Sequence, residues 1–173
     1  MNPGDVPIPE RLKAFPLYKG FLVHFTVWVG DNGVPDFRVV HEANRRRCME
    51  EEWCSLCGQP LEKPLVFIGG PLCVEKRLFV DGPMHEDCAL YAARTCPFLA
   101  DPAYQDRPLD SSIAHALKDG AEAIDVAAAA PGRPARMALV YVNRYRLILD
   151  QPVIYFQIGP PLKVDWDTMP KRS

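Results

Sequence analysis

The sequence lacks a long hydrophobic run, an export-type N-terminus and an excess of basic residues. No apolar run approaches the ~20 residues that a membrane-spanning helix needs, so we expect no membrane association. The polar start over residues 1–5 lacks the basic region and apolar core of a signal peptide, which predicts a cytoplasmic protein. Twenty basic residues against 22 acidic ones give a formal net charge of −2, and this balance argues against a dedicated nucleic-acid binder.

Cysteine is missing from most of the chain. Disulfides are disfavoured in the cytoplasm, where clustered cysteines more often bind a metal. The clustering therefore indicates a local metal site and not a disulfide framework. All six cysteines fall between residues 48 and 96: Cys48, Cys54, Cys57, Cys73, Cys88 and Cys96.

The length and the 48% hydrophobic content suit a single domain over residues 1–173. Apolar residues alternate over 21–29, which predicts a strand, and turn residues then lead to a second strand over 34–40. Residues 21–40 are therefore expected to form an N-terminal hairpin. The following stretch, 41–52, contains good helix formers and no breaker, so it predicts a helix.

The C-terminal half predicts a helix followed by strands. Residues 111–130 are rich in alanine and are expected to be helical. The C-terminal strands, within 137–166, are predicted over 137–149 and 153–158, with 162–166 packing back on the sheet. This order of elements predicts an α+β fold with a largely antiparallel sheet.

Residues 53–97 form a cysteine-rich module embedded in that sheet fold. It begins with Cys54 and Cys57, and two cysteines with two residues between them can chelate one ion from a tight turn. Gly58 follows directly and allows the backbone to bend close to the sulfurs, which then accept backbone N–H bonds.

The second pair of ligands is predicted at the start of a helix over 84–95. His85 and Cys88 are three residues apart and so share a helix face. Short apolar strands over 64–68 and 77–80, joined through a Gly-Gly-Pro turn, are expected to form a hairpin between the two pairs. A knuckle, a hairpin and a helix with ligands on its first turn make a treble-clef-like zinc module. The predicted ligands of a structural Zn²⁺ ion are Cys54, Cys57, His85 and Cys88.

Six segments of the sequence have a recognisable pattern: Trp53 to Leu61, Phe67 to Cys73, Pro83 to Ala89, Ala92 to Phe98, Pro35 to Val39 and Ala138 to Val142. Together they resemble a family of uncharacterised phage and prophage proteins. The resemblance covers about residues 21 to 166 and departs in the first twenty residues and over 101–135. It implies zinc binding and a phage or mobile-element setting, hence the cytoplasm of a host cell, but no established activity.

Three cysteines remain outside the predicted ligand set. Cys73 and Cys96 could replace a ligand, bind a second metal or provide a reactive thiol, but packing beside the zinc module is favoured because free cysteine is commonly buried. Cys48 shares a helix face with His41, seven residues earlier, yet a second metal site there would need distant partners.

The sequence shows no recognisable catalytic set. A nucleophilic cysteine needs a paired histidine, and the histidines left over are His24, His41 and His115, none of them in a known motif. Treble-clef nucleases need histidines around a second, catalytic metal, and no such set is visible. Enzyme activity is therefore not favoured.

Two groups of arginines could contact nucleic acid. The first group precedes an acidic run at 50–52, so a solvated helix with internal ion pairs is the favoured interpretation. The second alternates with Tyr145, which suits single strands but is also common on exposed sheet faces. The candidates are Arg45, Arg46 and Arg47 in the helix and Arg144 and Arg146 in the late strand.

Three functions follow from these observations. The favoured hypothesis is a zinc-stabilised, non-enzymatic interaction protein that binds a protein partner. The alternative is a nucleic-acid-binding accessory protein that uses one of the arginine groups. A degenerate treble-clef nuclease is the third hypothesis and the least supported.

Overall fold

A computed structural model describes residues 5–100, 134, 136–150 and 153–169. Within these ranges the protein is α+β and every strand pairing is antiparallel, which confirms the predicted fold class. The helix predicted over 111–130 lies outside the described residues. None of the described helices has the length and hydrophobicity to cross a bilayer.

Ten strands and four α-helices follow one another along the described parts of the chain, after a 3₁₀ turn at Glu10–Leu12. They are β1 (Leu17–Tyr18), β2 (Phe21–Leu22), β3 (Val27–Val29), β4 (Pro35–Val40), α1 (Glu42–Glu50), β5 (Leu65–Gly69), α2 (Pro71–Lys76), β6 (Leu78–Phe79), α3 (Glu86–Thr95), α4 (Pro97–Ala100), β7 (Ala138–Val142), β8 (Tyr145–Asp150), β9 (Val153–Ile158) and β10 (Lys163–Asp165).

The N-terminal part contains two short ribbons, β1–β2 and β3–β4. The structure thus divides the single strand predicted over 21–29 into β2 and β3. The interruption is a turn in which the N–H of Val27 donates to the carbonyl of His24 at 3.0 Å, and the N–H of Phe25 within this turn donates to that of Leu56 at 3.0 Å. These bonds take the place of a strand ladder, and the second one holds the turn against the cysteine module.

Helix α1 begins one residue later than predicted. His41 is its N-cap, and the Nδ1 atom of His41 accepts the N–H of Asn44 at 3.4 Å. The buried side chains of the helix are those of Arg45, Cys48 and Met49, which lie on one face at helical spacing.

The central sheet has the order β10–β7–β5, and every residue of β5 and β7 is buried. One face, with Val66 and Ile68 of β5, packs on α3 and the N-terminal segment. The other face, with Leu65 and Phe67, packs on the second sheet. Burial on both faces explains why these strands are continuous apolar runs without alternation.

The second sheet has the order β6–β9–β8. Its inner face contributes Phe79, Tyr145 and Phe156 to an aromatic cluster around Phe67, with ring centroids 5.1 to 5.9 Å apart. The single strand predicted over 137–149 is therefore two strands, β7 and β8, that belong to different sheets. The chain changes sheet at the exposed dipeptide between them, residues 143–144.

The hairpin predicted inside the zinc module is not formed as expected. Strand β5 pairs with β7 and strand β6 pairs with β9, while α2 fills the connection between them. A short ladder takes the hairpin's place, because Val66 and Met84 exchange two backbone hydrogen bonds of 3.0 and 2.9 Å. This ladder holds the residue before His85 against the central sheet.

Candidate metal centre

The first half of the site is a tight knuckle over residues 54–59. The N–H of Gly58 donates to the carbonyl of Cys54, and the N–H of Cys54 donates to that of Gln59, both at 2.8 Å. Gly58 has a φ of +65°, and a Cβ there would lie 2.5 Å from the ring of Phe25. Glycine is therefore required by both backbone conformation and packing.

The knuckle directs backbone N–H groups at its own sulfurs. The N–H of Cys57 donates to the sulfur of Cys54, and the N–H of Gln59 donates to the sulfur of Cys57. The knuckle is also bonded to the loop before the second pair, since the N–H of Ser55 donates to the carbonyl of Pro83 at 3.0 Å. Bonds of this kind stabilise thiolates and orient metal ligands.

The second half of the site lies at the start of α3. The helix begins at Glu86 and not at residue 84, since Met84 is held by the ladder with Val66. His85 is the N-cap residue and Cys88 is the third residue of the helix, so the two predicted ligands lie just before and within its first turn. The partial positive charge of a helix N-terminus favours the thiolate form of a cysteine at this position.

The ring of His85 is fixed by contacts on both nitrogen atoms. Nδ1 lies 3.4 Å from the sulfur of Cys57, and Nε2 lies 3.0 Å from the carbonyl oxygen of Pro60. A carbonyl can only accept, so Nε2 carries the proton and the lone pair of Nδ1 faces the sulfurs. A metal-binding histidine is commonly oriented in this way by its second nitrogen.

The four predicted ligands form one cluster, in which all ligand atoms lie within 4.8 Å of one another. A tetrahedral ion with Zn–S bonds of about 2.3 Å holds its sulfurs about 3.8 Å apart, so the cluster has the size of one such site. The exposed fractions are 0% for Cys54, 5% for Cys57, 3% for His85 and 0% for Cys88. These residues can therefore hold a metal ion away from solvent.

The three sulfurs interact strongly. Burial opposes ionisation of Cys54, but interactions with the side chains of Cys57, Cys88 and His85 outweigh burial and lower its pKa well below the usual range. The bond with Cys54 then raises the pKa of Cys57 to about 11, and it also raises the pKa of Cys88. One thiolate thus suppresses ionisation of its neighbours, and a bound divalent cation would remove that repulsion.

Arg11 is a neighbour of the site that sequence reasoning missed. Its Nε atom donates to Asp87 Oδ2 at 3.0 Å, and Leu12, the next residue, is fully buried in the core around the cluster. Burial opposes the charge of Arg11, but Asp87 and the sulfurs of Cys57 and Cys88 raise its pKa. A contact across 76 positions leaves no local pattern in the sequence.

The other described cysteines lie outside the cluster. Cys48 is buried, its thiol donates to the carbonyl of Cys54 at 3.7 Å, and burial raises its pKa to about 12. Cys73 and Cys96 are half-buried beside the two core clusters. Among the described residues, the cluster at Cys54 is the one grouping of three or more Cys, His, Asp or Glu ligands.

The described histidines outside the cluster do not assemble a catalytic set. His24 lies 3.3 Å from the hydroxyl of Thr26, and burial lowers its pKa to about 4. His41 caps α1. His115 falls outside the described residues.

The arginines of α1 have separate environments. Arg45 is only 7% exposed and lies in the interior. Arg46 pairs with Glu42 at 3.1 Å, and Arg47 pairs with Glu51 at 3.4 Å. The guanidinium of Arg47 also lies over the ring of Trp53, 4.3 Å from its centroid. The two exposed arginines of this helix are thus engaged within the protein.

Arg144 and Arg146 are exposed and lie immediately before and within the beginning of β8. The surface pocket that they line contains none of the four clustered residues and none of the α1 arginines.

A scan against protein-family models and searches of curated proteins and of solved structures give no match for this chain.

Proposed function

We propose that Cys54, Cys57, His85 and Cys88 bind one structural Zn²⁺ ion. Three sulfurs and one imidazole nitrogen form a donor set that suits Zn²⁺, which is borderline-soft and accepts tetrahedral coordination. The four donors are buried and close together, as one tetrahedral ion requires. The bond between His85 and Pro60 supports the proposal because it presents Nδ1 to the sulfurs.

The ion has a structural role in this proposal. It joins the knuckle to the first turn of α3, and the surrounding core also includes the N-terminal segment and the central sheet. A catalytic zinc keeps a coordination position for water or substrate, whereas four protein donors fill a tetrahedral ion. Structural zinc contributes folding free energy on the order of 10 kcal/mol in isolated fingers, so metal loss is expected to unfold this region.

We propose that the whole protein is a non-enzymatic interaction protein that binds a protein partner. The observation that carries this proposal is the buried cluster of four donors, which leaves no open position on a tetrahedral ion. The other histidines in the described part of the chain serve packing and helix capping. The resemblance to phage and prophage proteins supports a mobile-element origin and action in the host cytoplasm.

Nucleic-acid binding is the second candidate, and Arg144 and Arg146 favour it because their side chains are exposed. The balanced net charge of −2 and the internal ion pairs of α1 weaken it. Non-specific affinity grows with the number of phosphates neutralised, so two arginines give a shallow salt dependence.

A titration of the zinc-loaded protein against duplex and single-stranded DNA separates the two candidates. We expect no binding at physiological salt and no divalent-metal-dependent nicking. Micromolar or tighter binding that weakens with salt, and that is lost in the Arg46→Ala/Arg47→Ala variant or in Arg144→Ala/Arg146→Ala, would instead establish a nucleic-acid-binding protein.

A further inference from the structure

A shallow pocket lies at one end of the second sheet, where β8 begins and β9 ends. Its volume is about 250 Å³. The metal cluster contributes no residue to it. The lining residues are Arg144, Tyr145, Arg146, Gln157, Ile158 and Gly159.

Gly159 determines how Arg144 lies in this pocket. The N–H of Gly159 donates to the carbonyl of Arg144 at 3.0 Å, so the two backbones are held together. A Cβ on Gly159 would lie 3.1 Å from Cγ and 3.4 Å from Nε of Arg144. The missing side chain therefore allows the arginine to lie across the end of β9 with its guanidinium at the pocket.

Gln157 holds the second arginine. Nε of Arg146 donates to Oε1 of Gln157, its directly paired neighbour across the β8–β9 ladder. Because arginine only donates hydrogen bonds, Arg146 uses the amide oxygen of Gln157. The NH₂ group of Gln157 is left as a further donor. The terminal nitrogens of Arg146 are also left for a ligand.

Both guanidinium groups lack a counter-charge among the described residues. Within the ranges that the structure describes, neither Arg144 nor Arg146 lies within ion-pair distance of a carboxylate, in contrast to Arg11, Arg46 and Arg47. Two oriented guanidinium groups and an amide N–H₂ form a donor set for planar oxyanions, and arginine binds carboxylates in a bidentate manner.

The two arginines are spaced like alternate residues of a strand. They are separated by one residue, Tyr145, whose ring points the other way, into the aromatic cluster with Phe67 and Phe156. Alternate residues of a strand are about 6.7 Å apart along the chain. An extended peptide with acidic residues at alternate positions presents carboxylates at the same spacing. In the described part of the chain β8 pairs only with β9, so its outer edge faces no strand.

We infer that this pocket binds an extended acidic segment of the protein partner, with alternate carboxylates on Arg144 and Arg146. The inference rests on the proposed function, in which the partner is a protein. Charge complementarity selects the acidic peptide as the occupant. Two cations suit a pair of carboxylates, whereas a nucleic-acid backbone is bound by a longer row of basic residues.

The test uses the 173-residue chain, loaded with zinc, and a fluorescein-labelled peptide of alternating threonine and glutamate. Anisotropy is measured at about 50 and about 200 mM salt, with threonine–lysine and threonine–glutamine peptides and oligo-dT alongside. We expect the glutamate peptide to bind most tightly and Arg144→Ala/Arg146→Ala to weaken it about tenfold or more. The matched control is Arg46→Ala/Arg94→Ala, which removes the same charge from two exposed arginines elsewhere and should leave binding within about twofold.

A second variant tests the role of charge in peptide binding without removing an arginine. Gln157→Glu places a carboxylate beside Arg146 and should weaken the glutamate peptide as strongly as the double arginine variant does. Equal effects of the pocket and control variants, or no binding of the glutamate peptide, would overturn the pocket assignment while leaving the interaction-protein proposal in place. Tighter, pocket-dependent binding of oligo-dT would overturn both.

Discussion

The Nε2 atom of His85 lies 3.0 Å from the carbonyl oxygen of Pro60, two residues beyond the turn of the knuckle. This contact links the end of the knuckle to His85 independently of a metal ion. It also fixes which nitrogen of His85 faces the sulfurs.

The first prediction concerns the tautomer of His85. In the zinc-loaded protein, the long-range ¹H–¹⁵N NMR spectrum of His85 should show a protonated Nε2 and a metal-bound Nδ1. A protonated Nδ1, or two equivalent nitrogens in fast exchange, would contradict the geometry proposed for the site. His41, which caps α1, provides an internal comparison for a histidine outside the metal site.

The second prediction compares two glycines with positive φ. Gly33 has a φ of +73° and open space around it, so Gly33→Ala should cost about 1–2 kcal/mol from backbone conformation alone. Gly58→Ala adds a collision with the ring of Phe25, and overpacking brings about 1–3 kcal/mol more. Urea unfolding of the two variants measures the difference. Equal losses in the free energy of unfolding would show that the ring of Phe25 can move aside without an energetic cost.

The third prediction concerns two tyrosine hydroxyls. That of Tyr145 is buried and has no hydrogen-bond partner among the residues that the structure describes, whereas that of Tyr141 donates to Glu86 at 3.0 Å. Tyr145→Phe should raise the free energy of unfolding by about 1 kcal/mol, and Tyr141→Phe should lower it by about 1 kcal/mol. A destabilised Tyr145→Phe variant would mean that the hydroxyl is satisfied in solution.

The fourth prediction concerns pH. The hydrogen bond from Lys163, together with those from Thr168 and the backbone of Asp167, holds the pKa of Asp165 well below its usual range. A pKa lowered in the folded state contributes stability that is present above the unfolded value, about 3.9, and is lost as the pH falls below it.

Asp165→Asn tests this contribution, since an amide oxygen can still accept the backbone N–H groups. Wild type should be more stable than the variant in urea at about pH 6, and its advantage should shrink by about pH 3.5. An advantage that stays constant over this range would show that the charge of Asp165 contributes nothing.

The clustering of Cys54, Cys57, His85 and Cys88 could be predicted because its information is local. Cys54 and Cys57 belong to one turn, and His85 and Cys88 lie at the start of one helix, so spacing and turn residues suffice. The contact of Arg11 with Asp87 could not be predicted, because nothing near either residue in the sequence points to the other.

Strand partners were predicted less well than strands. β5 was expected from its apolar run, but its neighbour β7 follows about 70 residues later and competes with the nearer β6. The same limit applies to the predicted strand over 137–149. Its apolar pattern shows that both parts are strands, but not that they enter different sheets.

The sequence contains an indication that Arg45 is buried, although the run of three arginines obscures it. Arg45, Cys48 and Met49 follow helical spacing, and the two apolar residues mark the inner face of α1. Periodicity thus separates Arg45 from Arg46 and Arg47, whereas composition groups the three together.

The fifth prediction tests the central claim, that one Zn²⁺ ion is bound by four named residues. Elemental analysis of gently purified protein should find one zinc per chain in wild type and in the Cys73→Ala and Cys96→Ala variants, whose cysteines lie outside the cluster. Cys88→Ser should lack zinc and be partly unfolded, since a ligand of a closed structural site is removed. A wild-type protein without zinc, or loss of zinc from Cys73→Ala or Cys96→Ala with retention in Cys88→Ser, would contradict the account.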